Sequence, residues 1–233
     1  MAKEAPGPNP IRVSKEQVMS FYEAIREAEY IVASRKPDFI VAPLRGAEPL
    51  IESMAVVADL EGRDMPEVVY IETGTIGSRI DGKPLRPLFP EGKVALVSER
   101  LGSRFRGKDG RLSICLVDEV ESGGSIVKNF DYVNGAMRLY YPKVDFDLYA
   151  VGICSRSREK CGRFVQLLGM GKITPLYVDD LFTVDRTRFL SPLVRKDDDV
   201  RRQGLYPGDS KNELYNNIER IHRELQDRHG SKK

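Results

Sequence analysis

Apolar residues recur along this chain with two different periods. Val18, Phe21, Tyr22, Ile25, Ala28 and Val32 share one face at helical spacing and predict a helix over Lys15 to Ser34. Ser14 and Gln17 stand three apart in front of it as a capping box, in which each side chain satisfies the other's backbone N–H. The continuous apolar run Phe39-Ile-Val-Ala42 reads instead as a buried strand. It breaks at Pro43-Leu-Arg-Gly46, and Pro49 then opens a helix carrying Leu50, Ile51, Met54, Val57 and Ala58. Val68 to Ile71 is a second strand, and the glycines and prolines from Thr73 to Gly92 predict mostly irregular chain. Val94 to Val97 is expected as a third strand, and Ile114 to Val117 is the strongest one. A helix from Ser125 places Ile126, Val127, Phe130, Val133 and Met137 together, and strands follow at Phe146 to Ile153 and Leu176 to Val178.

Strands alternating with helices predict an α/β fold, a mainly parallel twisted sheet with helices on both faces. Such sheets bind ligands beyond the carboxyl ends of their strands. The expected organisation is a loose arm over 1–13, an α/β domain over 14–194 and a polar C-terminal extension over 195–233. In that extension Leu214, Ile218, Ile221 and Leu225 form a narrow apolar stripe. A stripe of this kind docks on the domain, on a sister subunit or on a protein partner.

Charge narrows the chemistry. Basic and acidic residues number 37 and 35, so any anion site is local, and nucleic acid is not indicated as a partner. No apolar stretch is long enough to span a membrane, and the N-terminus lacks the apolar core of a signal peptide, so a cytoplasmic protein is expected. Cys115, Cys154 and Cys161 lack zinc or redox spacing and read as structural thiols. The only histidines, His222 and His229, fall in the polar tail. Nucleophilic machinery built on histidine is therefore not expected among the core elements.

The segment Cys115-Leu-Val-Asp-Glu-Val-Glu-Ser-Gly-Gly-Ser125 carries the most information. A buried strand brings Asp118 and Glu119 to its end, and Ser122, Gly123, Gly124 and Ser125 lead into a helix. Glycines let backbone N–H groups turn around an anion, hydroxyls add donors, and the helix N-terminus adds partial positive charge. Neighbouring carboxylates suit a ligand with hydroxyls or a magnesium ion. The alternative is an acidic turn followed by a glycine bend and a helix cap.

This segment resembles the motif with which type I phosphoribosyltransferases bind 5-phosphoribosyl-1-pyrophosphate (PRPP). The resemblance covers about 38–153, with a variable acceptor-binding hood at about 170–194. It implies that Asp118 and Glu119 contact the ribose hydroxyls and Mg²⁺, and that Ser122, Gly123, Gly124 and Ser125 hold the 5′-phosphate. Compared with the family's pattern the loop is one residue shorter and places Glu121 in the cradle. Leu44, Arg45 and Gly46 look like the family's pyrophosphate loop, with Arg45 offering charge-assisted hydrogen bonds. For the family's mobile loop there are two candidates, 72–81 and 98–110. The second is preferred for its cations, Arg100 and Arg104 among them. Asp180 and Phe182 lie where hypoxanthine-type members contact the base. The resemblance implies transfer of phosphoribosyl from PRPP to a nitrogen acceptor such as a nucleobase, with Mg²⁺ and release of pyrophosphate. The alternatives are a catalytically silent PRPP sensor and an effector controlled by a partner protein.

Overall fold

The computed structural model describes residues 15–43, 47–71, 79–80, 83–84, 90–102, 104, 111–156, 159–178, 216 and 218–227. Five parallel strands form the centre: β1 (Phe39–Pro43), β2 (Glu67–Ile71), β5 (Leu112–Val120), β6 (Phe146–Ser155) and β7 (Ile173–Val178). They lie in the order β2-β1-β5-β6-β7. A short antiparallel pair, β3 (Arg79–Ile80) and β4 (Lys83–Pro84), stands apart from this sheet.

Parallel strands must be reached by crossovers, and the crossing helices cover both faces. One apolar cluster joins α1 (Lys15–Arg35) and α2 (Glu48–Leu60) to the sheet through Ile25, Met54, Cys115 and Val151. The other joins α3 (Pro90–Gly102), α4 (Gly124–Tyr140) and α5 (Gly162–Gly169) through Leu101, Ile126, Phe164 and Leu116. Strand residues alternate between the two clusters, and β1 and β5 are almost wholly buried between them. That is why both read as unbroken apolar runs.

Residues 218–227 form a further helix, α6, on the α1 face. Ile218 and Ile221 are buried there and Leu225 packs beside them, so this stretch of the stripe is used within the chain itself. Leu214 lies outside the described residues. His222 is not in a solvated tail: it is buried, with Nδ1 2.6 Å from the Tyr22 hydroxyl and Nε2 2.9 Å from the Gln226 amide. Below α1, the buried Glu29 carboxylate accepts two hydrogen bonds from the Arg63 guanidinium, tying α1 to the turn after α2.

Two expectations need correction. Val94 to Val97 is not a strand but the middle of α3. A four-residue apolar run does not define a period, and the residues turned to the sheet are Val97 and Leu101, four apart. Arg100 therefore sits in the last turn of a helix rather than in a loop, and its charge suits the negative end of the helix dipole. Arg104, just beyond, pairs with Glu67 at the start of β2. No helix among the described residues is long and apolar enough to cross a membrane.

Candidate functional site

Strand order decides where a ligand can enter. From β1 the chain passes through α2 to β2 on one side, while β5, β6 and β7 extend on the other. β1 and β5 are direct neighbours, with Val41 opposite Leu116. At their carboxyl ends one chain segment turns into α2 on one face and the other turns into α4 on the opposite face. The helices that follow these two neighbouring strands thus lie on opposite faces of the sheet, the arrangement of the switch points where open α/β sheets bind ligands.

The first connection contains Leu44, Arg45 and Gly46, which lie outside the described residues. Its ends are fixed: Ala47 N–H donates to the Pro43 carbonyl at 3.1 Å, and α2 begins with proline in its first turn.

The second connection is fully described. Gly123 is the N-cap of α4 with φ 88° and ψ −4°, a left-handed conformation that strains any residue with a Cβ. A Cβ there would also stand 2.8 Å from Phe164 of α5. Gly124 differs, since its nearest neighbour would be Ser122 Oγ at 3.8 Å. Glycine is thus required at the first position and only permitted at the second. As a glycine, this N-cap residue offers α4 no side-chain cap. The carbonyls of Glu121 and Ser122 accept from Lys160 Nζ and from Cys161 N–H (the latter at 2.8 Å), and that of Gly123 accepts from Val127 N–H at 3.2 Å. Among the described residues, the N–H groups of Ser122, Gly123, Gly124 and Ser125 have no backbone acceptor. Backbone donors of this kind, at the positive end of a helix, can receive an anion.

Asp118 and Glu119 both belong to β5, so their side chains leave opposite faces of the sheet. Asp118 turns toward α4 and is 2% exposed. Its Oδ1 accepts from the Glu119 N–H at 2.9 Å and its Oδ2 from Asn129 Nδ2 at 3.2 Å, with the Ser125 hydroxyl as a third partner. It braces the first turn of α4 from inside. Glu119 is half-buried and faces the other side.

Comparison with known proteins adds outline only. No protein-family model matches the sequence, and no curated protein matches it. Among solved structures, the chain is similar to the hypoxanthine-guanine phosphoribosyl transferase of L. donovani at 18% identity and TM-score 0.40, over 76% of this chain and 86% of that one. It is similar to a hypoxanthine phosphoribosyltransferase from Staphylococcus aureus at 10% identity and TM-score 0.37, covering 71% and 77%. A purine phosphoribosyltransferase from Pyrococcus horikoshii Ot3 stands at 12% and 0.32, covering 69% and 82%. Likeness at this level does not carry function, which rests on the site itself.

Burial pushes the Asp118 carboxyl up to about 7, against the hydrogen bonds from Asn129, the Glu119 N–H and Ser125 that pull it down. A folded-state value above the usual 3.8 means that the folded protein holds this proton more tightly than the unfolded chain. The resulting stability is complete below about pH 4 and is lost as pH rises through about 7. Melting curves for wild type and Asp118→Asn should show it. As pH rises from 4.5 to 8, wild type should lose several degrees relative to the variant, a difference of up to a few kcal/mol. Parallel pH profiles would show that Asp118 titrates as it does in water.

Two residues of this region escaped the sequence reading. Asn129, one turn into α4, is buried and reaches both Asp118 and Ser125. Its signal was its place on the apolar face of the predicted helix. Lys160 lies 39 positions from the loop it contacts, and no local pattern marks it. Asp180 and Phe182 fall outside the described residues. Among the described residues no group of three His, Cys, Asp or Glu side chains is gathered to hold a metal.

Proposed function

We propose that the chain binds PRPP at the carboxyl ends of β1 and β5 and transfers its phosphoribosyl group to a nitrogen acceptor. The observation that supports this most is the pairing, at one switch point, of a run of N–H groups without a backbone acceptor among the described residues and the connection that contains Arg45. The first suits a terminal phosphate and the second suits a pyrophosphate. In this reading the loop from Ser122 to Ser125 holds the 5′-phosphate, and Glu119 hydrogen-bonds ribose hydroxyls. Asp118 shapes the loop from within, since its oxygens already accept from α4 and the backbone. Leu44, Arg45 and Gly46 hold the pyrophosphate, and Asp180 and Phe182 are the proposed contacts to the acceptor.

As the C1–O bond breaks, its electron pair leaves with pyrophosphate and C1 takes on oxocarbenium character; a nitrogen lone pair of the acceptor then forms the new bond. Arg45 stabilises the charge that gathers on the leaving group, and such stabilisation acts more on the transition state than on bound substrate. Holding both partners in line supplies most of the remainder. Mg²⁺ usually keeps few protein ligands and travels with substrate phosphates. The residues present fit that kind of ion, with Glu119 as the carboxylate to hold it, and it would supply charge neutralisation on the pyrophosphate.

One feature supports a second reading, a PRPP sensor without catalysis. Glu121 directly precedes the proposed cradle in sequence, and a third carboxylate near it weakens an anion site. The test is pyrophosphate release from PRPP and Mg²⁺ across a panel of nucleobases. Release with one base supports the transferase. Binding of PRPP without release under any base leaves the sensor.

A further inference from the structure

The phosphate loop is held from outside by the segment that follows β6. Lys160 donates through Nζ to the Glu121 carbonyl and, at 2.7 Å, to the Ser155 carbonyl that ends the strand. The next residue, Cys161, donates its N–H to the Ser122 carbonyl at 2.8 Å. In a trans peptide the C=O and the following N–H point in opposite directions. Drawing the Glu121 carbonyl toward Lys160 therefore turns the Ser122 N–H away from it. Drawing the Ser122 carbonyl toward Cys161 does the same to the Gly123 N–H. These two N–H groups, continuing into those of Gly124 and Ser125, are the donors of the anion site.

Lys160 also carries charge. Its ammonium is partly buried, which lowers its pKa, while the nearby Glu121 charge raises it. A cation against the base of the loop offsets the charge of the nearby Glu121 carboxylate, one oxygen of which is buried.

We propose that Lys160 is a positioning residue of the 5′-phosphate site: it does not touch the ligand but fixes peptide 121–122 so that the loop presents N–H groups to the phosphate. This deepens the PRPP reading and rests on it. The fold gives the role its location, because β6 pairs with β5 up to Cys154 opposite Val120 and so delivers the 159–161 segment directly beside the loop.

The test is calorimetric titration of wild type, Lys160→Met, Lys160→Gln and Lys160→Arg with three ligands: ribose 5-phosphate, PRPP with Mg²⁺, and pyrophosphate with Mg²⁺. Lys160→Met should raise the Kd for ribose 5-phosphate and for PRPP by the same factor, about tenfold for one lost charged hydrogen-bond donor. Its Kd for pyrophosphate should stay unchanged, and Lys160→Arg should recover most of the loss. A rise shared by all three ligands would mean general loosening and would overturn the positioning role. Equal affinities in wild type and Lys160→Met would overturn it as well. If Lys160→Met does not fold, the same comparison is read from Lys160→Gln. Wild type that binds neither phosphate ester would instead overturn the site reading, and the role of Lys160 with it.

Discussion

Replacing Gly123 with alanine is expected to lower stability by about 3 kcal/mol and to destroy ligand binding in whatever remains folded. Two costs combine. At φ 88° the backbone is left-handed, which costs a residue with a Cβ roughly 1–2 kcal/mol. The new methyl would also meet Phe164 at 2.8 Å, and relieving such overpacking costs about 1–3 kcal/mol. Phe164 cannot easily yield, because it is completely buried and anchors α5 to the sheet cluster. Gly124→Ala is the internal control. Its Cβ would have ordinary clearance, so its stability should stay within about 0.5 kcal/mol of wild type. Urea unfolding of both variants checks the pair. Equal effects at the two glycines would contradict the geometry of the loop.

The double substitution of Ile218 and Ile221 by alanine should cost about 4 kcal/mol or more, since each buried Ile→Ala change costs roughly 2–5. Ile218 is wholly buried and Ile221 nearly so, both against the α1 side of the sheet. The change also loosens the helix that holds His222 against Tyr22. Arg223, on the exposed side of the same helix, serves as control: its replacement by alanine should move stability by under about 0.5 kcal/mol. A small loss from the double variant, measured by urea unfolding, would mean that α6 contributes little to the fold.

Where residues report on their immediate neighbours, the sequence was readable. The apolar runs of β1 and β5 mark strands buried on both faces, and α1 and α4 show helical spacing over many turns. Failures came where the deciding contact lies far along the chain. Val94 to Val97 is short and apolar, so only the helix it belongs to, seen packed, gives its period. The helix α5 shows just two buried positions, Phe164 and Leu167, too few to define a helical period. Yet Phe164, together with the left-handed backbone, makes Gly123 obligatory.

The candidate site was half legible. The glycine-rich turn and its helix could be read from residue types, because strand, bend and cap are local devices. The roles of the acidic pair could not. Adjacent carboxylates look like a matched set in sequence, but alternation along β5 sends Asp118 into the α4 packing and Glu119 to the other face. Lys160 was invisible for the same reason as Phe164: it acts on a loop 39 residues earlier.

The most direct test of the central claim is a calorimetric titration of the wild-type chain with PRPP in the presence of Mg²⁺. One saturable site per chain is predicted, with ribose 5-phosphate competing for it through the shared 5′-phosphate. A folded protein that gives no saturable binding with PRPP, or binding that ribose 5-phosphate leaves untouched, would contradict the phosphate loop and the function built on it.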